Sequence, residues 1–390
     1  MPGAIDAGRA QVSRRGFVRA TVTTSAAALA LSCAPAAAPP PATSAPAASP
    51  VAWEKTWSDL VAAAKVEGAL SVLTLAGNSY RQGVAAFQAA YPEIKVDHEG
   101  PASMGPFSQK IIQERAAGIF SRDVAQISSP TALSVLKPEK VWAPVKPALV
   151  RPDILEDKNW VGGFDFGWLD ADRQLAYGFQ LERFAGLFRN TDLVADGQVT
   201  SLDDLLNPKW KGKFIFGEPW SYGPSYRIAT ALRLKRGDDA VKRLYVDQQP
   251  AVARDIRQVA QAVVRGQYAF GIFAADFLEE FRSQGIGRNV REVWEVQDFI
   301  TIQELPIFLF DRAPHPNAAK LFINWFLTQA GQQAWSQAVN VNSRRTDVPP
   351  AKLDTVVRLG EETGYPRTNH EELLPKLVDT QSFLKKLMGG

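Results

Sequence analysis

Leu70-Ser71-Val72-Leu73-Thr74-Leu75 is a short apolar run closed by the turn residues Ala76-Gly77-Asn78-Ser79, and helical patterns flank it on both sides. Upstream, Trp57, Leu60, Val61 and Ala64 repeat at the helical period, and Gly68 stands where a helix would stop. Downstream, Tyr80 to Tyr91 sets Val84, Phe87 and Tyr91 on one side before Pro92 ends the pattern. A run of this length, apolar at successive rather than alternate positions, predicts a strand buried on both faces.

Working outward, Ile94 to His98 predicts a second strand, Ser103 to Ala117 a helix closed by Gly118, and Asp123 to Ile127 a third strand followed by the helix opening Ser128-Ser129-Pro130. Strands alternating with helices at this spacing predict an α/β fold with a parallel sheet and right-handed crossovers. Such a sheet offers binding at the carboxyl ends of its strands, where the N–H groups of the following helices point outward. Three turns qualify: Gly77-Asn78-Ser79, Gly100 to Ser103 and Ser128-Ser129. Their plainer use is helix capping.

A second unit of like architecture follows, without an internal sequence repeat. Ser201 caps a helix through Leu206 that Asn207-Pro208 ends, and Lys213 to Phe216 is a strand leading into the turn Gly217 to Ser225 and a helix from Tyr226 to Lys235. Asp255 to Arg265 is a helix stopped by Gly266, and Tyr268 to Phe273 is a strand. An apolar strand from Thr301 to Phe310, interrupted by Pro306, precedes a helix from Asn317 to Thr328.

The chain has 390 residues, 46% hydrophobic and 22% charged, which suits a folded two-domain protein and excludes disorder or a disulfide scaffold. Residues 1 to 32 carry four arginines against Asp6, and the remainder holds 40 basic and 40 acidic residues. That balance argues against a nucleic-acid partner. One cysteine and three histidines cannot build a zinc cage, and neither metal nor cofactor is expected.

The N-terminus reads as an address and a tether. Ser13-Arg14-Arg15-Gly16-Phe17, followed by an apolar stretch too short to span a bilayer, resembles a twin-arginine export signal over residues 1–32. Cys33 after Leu29-Ala30-Leu31-Ser32 resembles a lipoprotein processing site, although Ala30 stands where a leucine is usual. The alternative is ordinary cleavage with Cys33 incidental. Residues 34–50, eight Ala, six Pro, two Ser and one Thr, predict an extended spacer that would hold a folded body off a membrane.

Enzyme motifs fail. Gly223-Pro224-Ser225-Tyr226-Arg227 lacks the second glycine of a nucleophile elbow, and His98-Glu99 and His370-Glu371 lack the second histidine of a metalloprotease helix. Trp210-Lys211-Gly212-Lys213 has neither the loop glycine nor the following Ser/Thr of a phosphate loop.

Phe87-Gln88-Ala89-Ala90-Tyr91-Pro92-Glu93-Ile94-Lys95-Val96, Phe188-Arg189-Asn190-Thr191-Asp192, Leu202 to Lys213 with its Asn207-Pro208-Lys209-Trp210-Lys211-Gly212-Lys213 core, and Pro314 to Phe322 resemble extracellular solute-binding proteins of ABC importers. The resemblance covers about residues 53 to 350 and is nearest to the ferric-iron, polyamine and phosphonate-type cluster. It implies a two-lobed periplasmic-binding-protein-like fold that closes on a small-molecule ligand and presents it to a permease. The implied crossings lie near Tyr177 to Arg189 and Asp298 to Glu304, giving a first lobe of 51–178 plus 300–390 and a second of 179–299. It further implies a monomer, tethered by lipid in the periplasm or at the outer cell surface.

On the same resemblance the cleft draws on Asn78, Ser79, Ser128 and Ser129, on Gln180 and Glu182 in the first crossing, on Trp220, Ser221 and Tyr222, on Asp276, and on Gln303 and Glu304. Iron-binding members usually carry an adjacent Tyr-Tyr pair where this chain has Ala274-Ala275, so an organic ligand fits better. Helix N-termini with Arg227 or Arg254 would suit a phosphonate, phosphate or carboxylate, the favoured class. Aromatic faces with Glu182, Asp276 or Glu304 would instead suit a polyamine-like cation, so both signs of charge stay open.

Overall fold

The computed structural model describes residues 50–221 and 223–389. The expected signal segment, Cys33, the spacer before residue 50 and Tyr222 lie outside the described residues.

Helix α1 (Pro50–Glu67) leads into β1 (Ala69–Thr74), α2 (Asn78–Ala90), β2 (Lys95–Glu99), α3 (Met104–Ala116) and β3 (Val124–Gln126). The short α4 (Ser129–Thr131), β4 (Trp142–Ala143) and α5 (Pro152–Leu155) precede the long β5 (Tyr177–Phe184). Then come β6 (Leu187–Asn190), α6 (Leu202–Leu205), β7 (Phe214–Gly217), α7 (Pro224–Lys242), β8 (Ala251–Ala253), α8 (Ile256–Val264), β9 (Phe270–Ile272), α9 (Ala275–Ser283) and β10 (Val290–Glu292). Strand β11 (Thr301–Phe310) and helices α10 (Pro316–Phe326), α11 (Gln329–Val339) and α12 (Leu374–Met388) complete the order.

The strands form two sheets. The first runs β2-β1-β3-β11-β4 with β5 also paired to β11, and the second runs β10-β6-β9-β7-β8. Strand β1 pairs in parallel with β2 and β3, as its continuous apolar run predicts, and Val72 and Leu73 are buried on opposite faces. The sheet as a whole is mixed, because β11 lies antiparallel to β3, β4 and β5. Its direction follows from its origin: β11 returns from the second unit, so it enters the first sheet at the end where β1 and β3 finish.

On one face of the first sheet Val72 packs with Val84 and Phe87 of α2 and Phe322 of α10; on the other Leu73 and Ala125 pack with Ile111 of α3. Gly68 takes φ +64, the left-handed conformation a side chain resists, and its N–H caps α1 at the Ala64 carbonyl. In the second unit the Ser201 hydroxyl accepts from Asp204 N, and the Asp204 carboxylate accepts from Ser201 N in return.

Strands β5 and β11 are paired from Thr301↔Phe184 to Ile307↔Tyr177, with a register shift beside Pro306, which has no N–H to offer the ladder. Strand β6 of the second sheet begins three residues after β5 ends. The chain after α11 then lines both edges of this ribbon, with bridges Gln180↔Ser343 and Glu182↔Val356 on β5 and Ile302↔Arg367 on β11. Helix α12 leaves it to lie against α7 of the second unit, where Asp379 pairs with Arg233 and Leu377 and Leu384 are buried. The segment expected in the first lobe, 300–390, therefore also touches the second unit through α12, with Leu377 and Leu384 buried on that helix.

Candidate functional site

Groups from three separate parts of the chain interact electrostatically at the Tyr80 phenol. Tyr80 lies in the first turn of α2, just past the exposed Ala76-Gly77-Asn78 turn, with its ring 5.7 Å from that of buried Trp335 on α11. Its pKa is pushed up to about 12, first by burial and then by the nearby carboxylates of Asp276 and Glu182. Asp276 stands exposed in the first turn of α9 in the second unit, and Glu182 lies on the crossing strand β5. Carboxylates of the second unit and of the crossing strand thus both act electrostatically on a phenol beside the first sheet.

Glu182 is buried. One carboxylate oxygen accepts from Thr355 Oγ1 at 3.1 Å and Asn342 N at 3.3 Å, and the other accepts from Gln180 Nε2 at 2.8 Å. Burial nevertheless raises its pKa above the ordinary carboxylate value, against the lowering effect of Lys352 and these donors. Gln303 is its cross-strand partner on β11 and so stands on the same face, half-buried.

A cavity of about 700 Å³ adjoins this point, lined in part by Asp276, Glu292 and Trp294 of the second unit and by Lys352 and Thr355 of the later segment. Glu292 accepts from Gly186 N at 2.8 Å, at the start of the second sheet, and burial pushes its pKa to about 7. A second cavity of about 580 Å³, lined by Trp57, Tyr91 and Arg345 among others, draws on the first unit alone.

The other expected residues are placed as follows. Glu304 faces away from Glu182 and Gln303, because neighbours along a strand point to opposite faces, and it is buried in an ion pair with Arg367. Ser129 is fully buried, and its hydroxyl donates to the Asn369 carbonyl at 2.5 Å. Ser79 is half-buried and Asn78 exposed at the α2 start, and Ser128 is half-buried.

Trp220 is half-buried against the apolar cluster, and its carbonyl accepts from Gln381 of α12; Ser221 is exposed, its hydroxyl 3.2 Å from Glu218. Of the arginines offered for an anion, Arg254 is exposed beside Glu218, and Arg227 lies over the Phe184 ring. Tyr80, Glu292 and the 340–355 segment were not among the sequence candidates. A tyrosine one residue beyond a small, polar strand-to-helix turn was the available signal for the first.

The model of the bacterial extracellular solute-binding protein family matches residues 71–333, more than half of the chain. The chain belongs to that family. Solute-binding proteins of this kind with solved structures share its two-lobed α/β fold. Iron-bound HitA from Pseudomonas aeruginosa is 17% identical, with a TM-score of 0.58 over 82% of this chain and 99% of its own. Trichodesmium FutA (IdiA), in complex with iron and citrate, is 16% identical, with a TM-score of 0.62 over 83% and 98%. The spermidine/putrescine ABC transporter substrate-binding protein PotD from Streptococcus pneumoniae is 16% identical, with a TM-score of 0.58 over 82% and 99%. No curated protein sequence matches the chain. The family is one of extracellular solute binding.

Proposed function

We propose that this chain captures an organic amine between its two units and delivers it to an ABC permease, without catalysing a reaction. The carrying observation is the convergence of Glu182 and Asp276 on Tyr80, which joins both units and the crossing in one negatively charged site. An ammonium group there gains two carboxylates and an aromatic face, and such a contact strengthens on desolvation. A carboxylate or phosphonate would meet the like charge of Glu182 and Asp276 there, although Arg282, Arg291 and Lys352 line the adjoining cavity. The Ala274-Ala275 pair, standing where iron-binding members usually carry adjacent tyrosines, favours the amine over ferric iron.

Only a ligand that touches both units draws them together, since closure requires tighter binding to the closed form. We place the crossings at the β5–β6 junction and at the start of β11, with α12 joined to the second unit; the strand pairing and the α12 contact support this. The twin-arginine signal, lipidation at Cys33 and the 33–50 spacer complete the proposal of a monomer held at the membrane, in the periplasm or at the outer surface. Among the described residues no helix is long and apolar enough to cross a membrane. Cys33→Ser should move the protein from the membrane fraction to the soluble one.

A thermal-shift series on the full chain tests the ligand class. An amine at about 100 times its dissociation constant adds roughly 2.7 kcal/mol and raises the melting point by a few degrees. A shift with phosphonates or carboxylates and none with amines would reverse the assignment.

A further inference from the structure

Among the buried side chains whose polar atoms have no hydrogen-bond partner are Gln126, at both amide atoms, and Thr301, Thr368 and Ser225, at their hydroxyls. Buried polar groups are nearly always paired, so orphans that share one surface point to a missing partner.

Strand register puts three of them on one surface. Glu182 lies opposite Gln303, and Phe184 opposite Thr301, so these four share a face of the crossing ribbon. The parallel bridge Ile302↔Arg367 sets Thr368 beside Gln303 on that face, so Glu182, Gln303 and Thr368 form a row across three strands roughly 10 Å wide. Ala125 pairs with Phe308, which brings Gln126 opposite Ile307, and the odd-numbered residues of β11 point to one side. Ser225 approaches from the second unit at the start of α7, two residues before Arg227, whose guanidinium covers Phe184.

Resting on the amine reading above, we propose that the ligand also carries uncharged oxygens, hydroxyl or carbonyl, that complete Gln126, Thr301 and Thr368. The chemistry of the orphans selects this class. Gln126 leaves both a donor and an acceptor unmet, and a hydroxyl satisfies both. A carboxylate or phosphonate dianion only accepts, and the methylenes of an alkyl diamine do neither. The ligand is therefore an amino sugar or amino alcohol in type: its ammonium sits at Tyr80, Glu182 and Asp276, and its oxygens lie along the row toward Thr368.

The test titrates the full chain calorimetrically with glucosamine, glucose and 1,5-diaminopentane. Glucosamine should bind at least tenfold more tightly than either of the others. Gln126→Met and Thr368→Val should each weaken glucosamine at least tenfold, leave diaminopentane unchanged, and leave the ligand-free melting point level or higher, because no native hydrogen bond is lost. Diaminopentane binding as tightly as glucosamine would overturn the oxygen site while leaving the amine reading intact. Glucose binding as tightly as glucosamine would overturn the amine reading and keep the oxygen site. Binding of none of the three, or a lower ligand-free melting point in both variants, would overturn the proposal.

Discussion

Arg367 grips Glu304 with two prongs, Nη2 to Oε1 at 2.6 Å and Nε to Oε2 at 3.1 Å, on the face of β11 turned away from the candidate site. The guanidinium also covers the Phe166 ring at 3.8 Å and donates to the Phe166 carbonyl. Removing one partner of a buried pair leaves the other charge uncompensated. Arg367→Ala should therefore cost about 3–5 kcal/mol in urea unfolding, and the double change Arg367→Met with Glu304→Met should recover much of that loss. A loss below about 1 kcal/mol would show that the pair does not fasten the C-terminal segment to the crossing.

Glu182→Gln and Asp276→Asn should each weaken amine binding about tenfold, equivalent to roughly 1.4 kcal/mol. The effect has a pH signature. The free protein holds the Glu182 pKa above the ordinary value, and a bound ammonium favours the ionised form, lowering it. Affinity is full above the raised free-state pKa and falls as pH drops through it. Titrations between pH 4 and 8 should show this decline in the wild type and a smaller one in Glu182→Gln.

Glu292 makes the opposite kind of prediction, about stability. Its native pKa of about 7 lies above its ordinary 4.5, so between those values the native state binds more protons than the unfolded chain. Its contribution to stability is then greatest below pH 4.5 and is lost as pH rises to about 7. Glu292→Gln, whose amide oxygen can still accept from Gly186 N, should raise the melting point at pH 8 and leave it unchanged at pH 4.

Gly83 lies on α2 where an added Cβ would stand 2.6 Å from Cε3 of Trp335. Trp335 is held edge-on by Phe179 and Phe326, so the ring has little room to retreat. Gly83→Ala should destabilise by about 1–3 kcal/mol in chemical denaturation.

Much of this was legible where the sequence carries local signals. The run Leu70 to Leu75, the stop at Gly68 and the capping Ser201 each act within a few residues, and β1, α1 and α6 form there. The mixed character of the first sheet was not legible, since the direction of β11 depends on a chain reversal through the whole second unit. Gln303 and Glu304, adjacent in sequence, were both expected in the cleft, yet the alternation of strand side chains allows only one of them to face it. The Ser129 hydroxyl bonds to Asn369 and the Trp220 backbone carbonyl to Gln381, about 240 and 160 residues away, and spacing alone does not reveal such partners. Tyr80 has the converse history, because its significance comes from Asp276 and Glu182, which only the fold brings near.

A site for a positively charged organic solute between the two units should discriminate by charge. Isothermal titration of the full chain with glucosamine and with gluconate, similar six-carbon polyols of opposite charge, tests it most directly. Glucosamine should bind saturably, about tenfold more weakly in Glu182→Gln, and gluconate should show no measurable binding. Saturable gluconate binding without glucosamine binding, or glucosamine binding indifferent to Glu182→Gln, would contradict it.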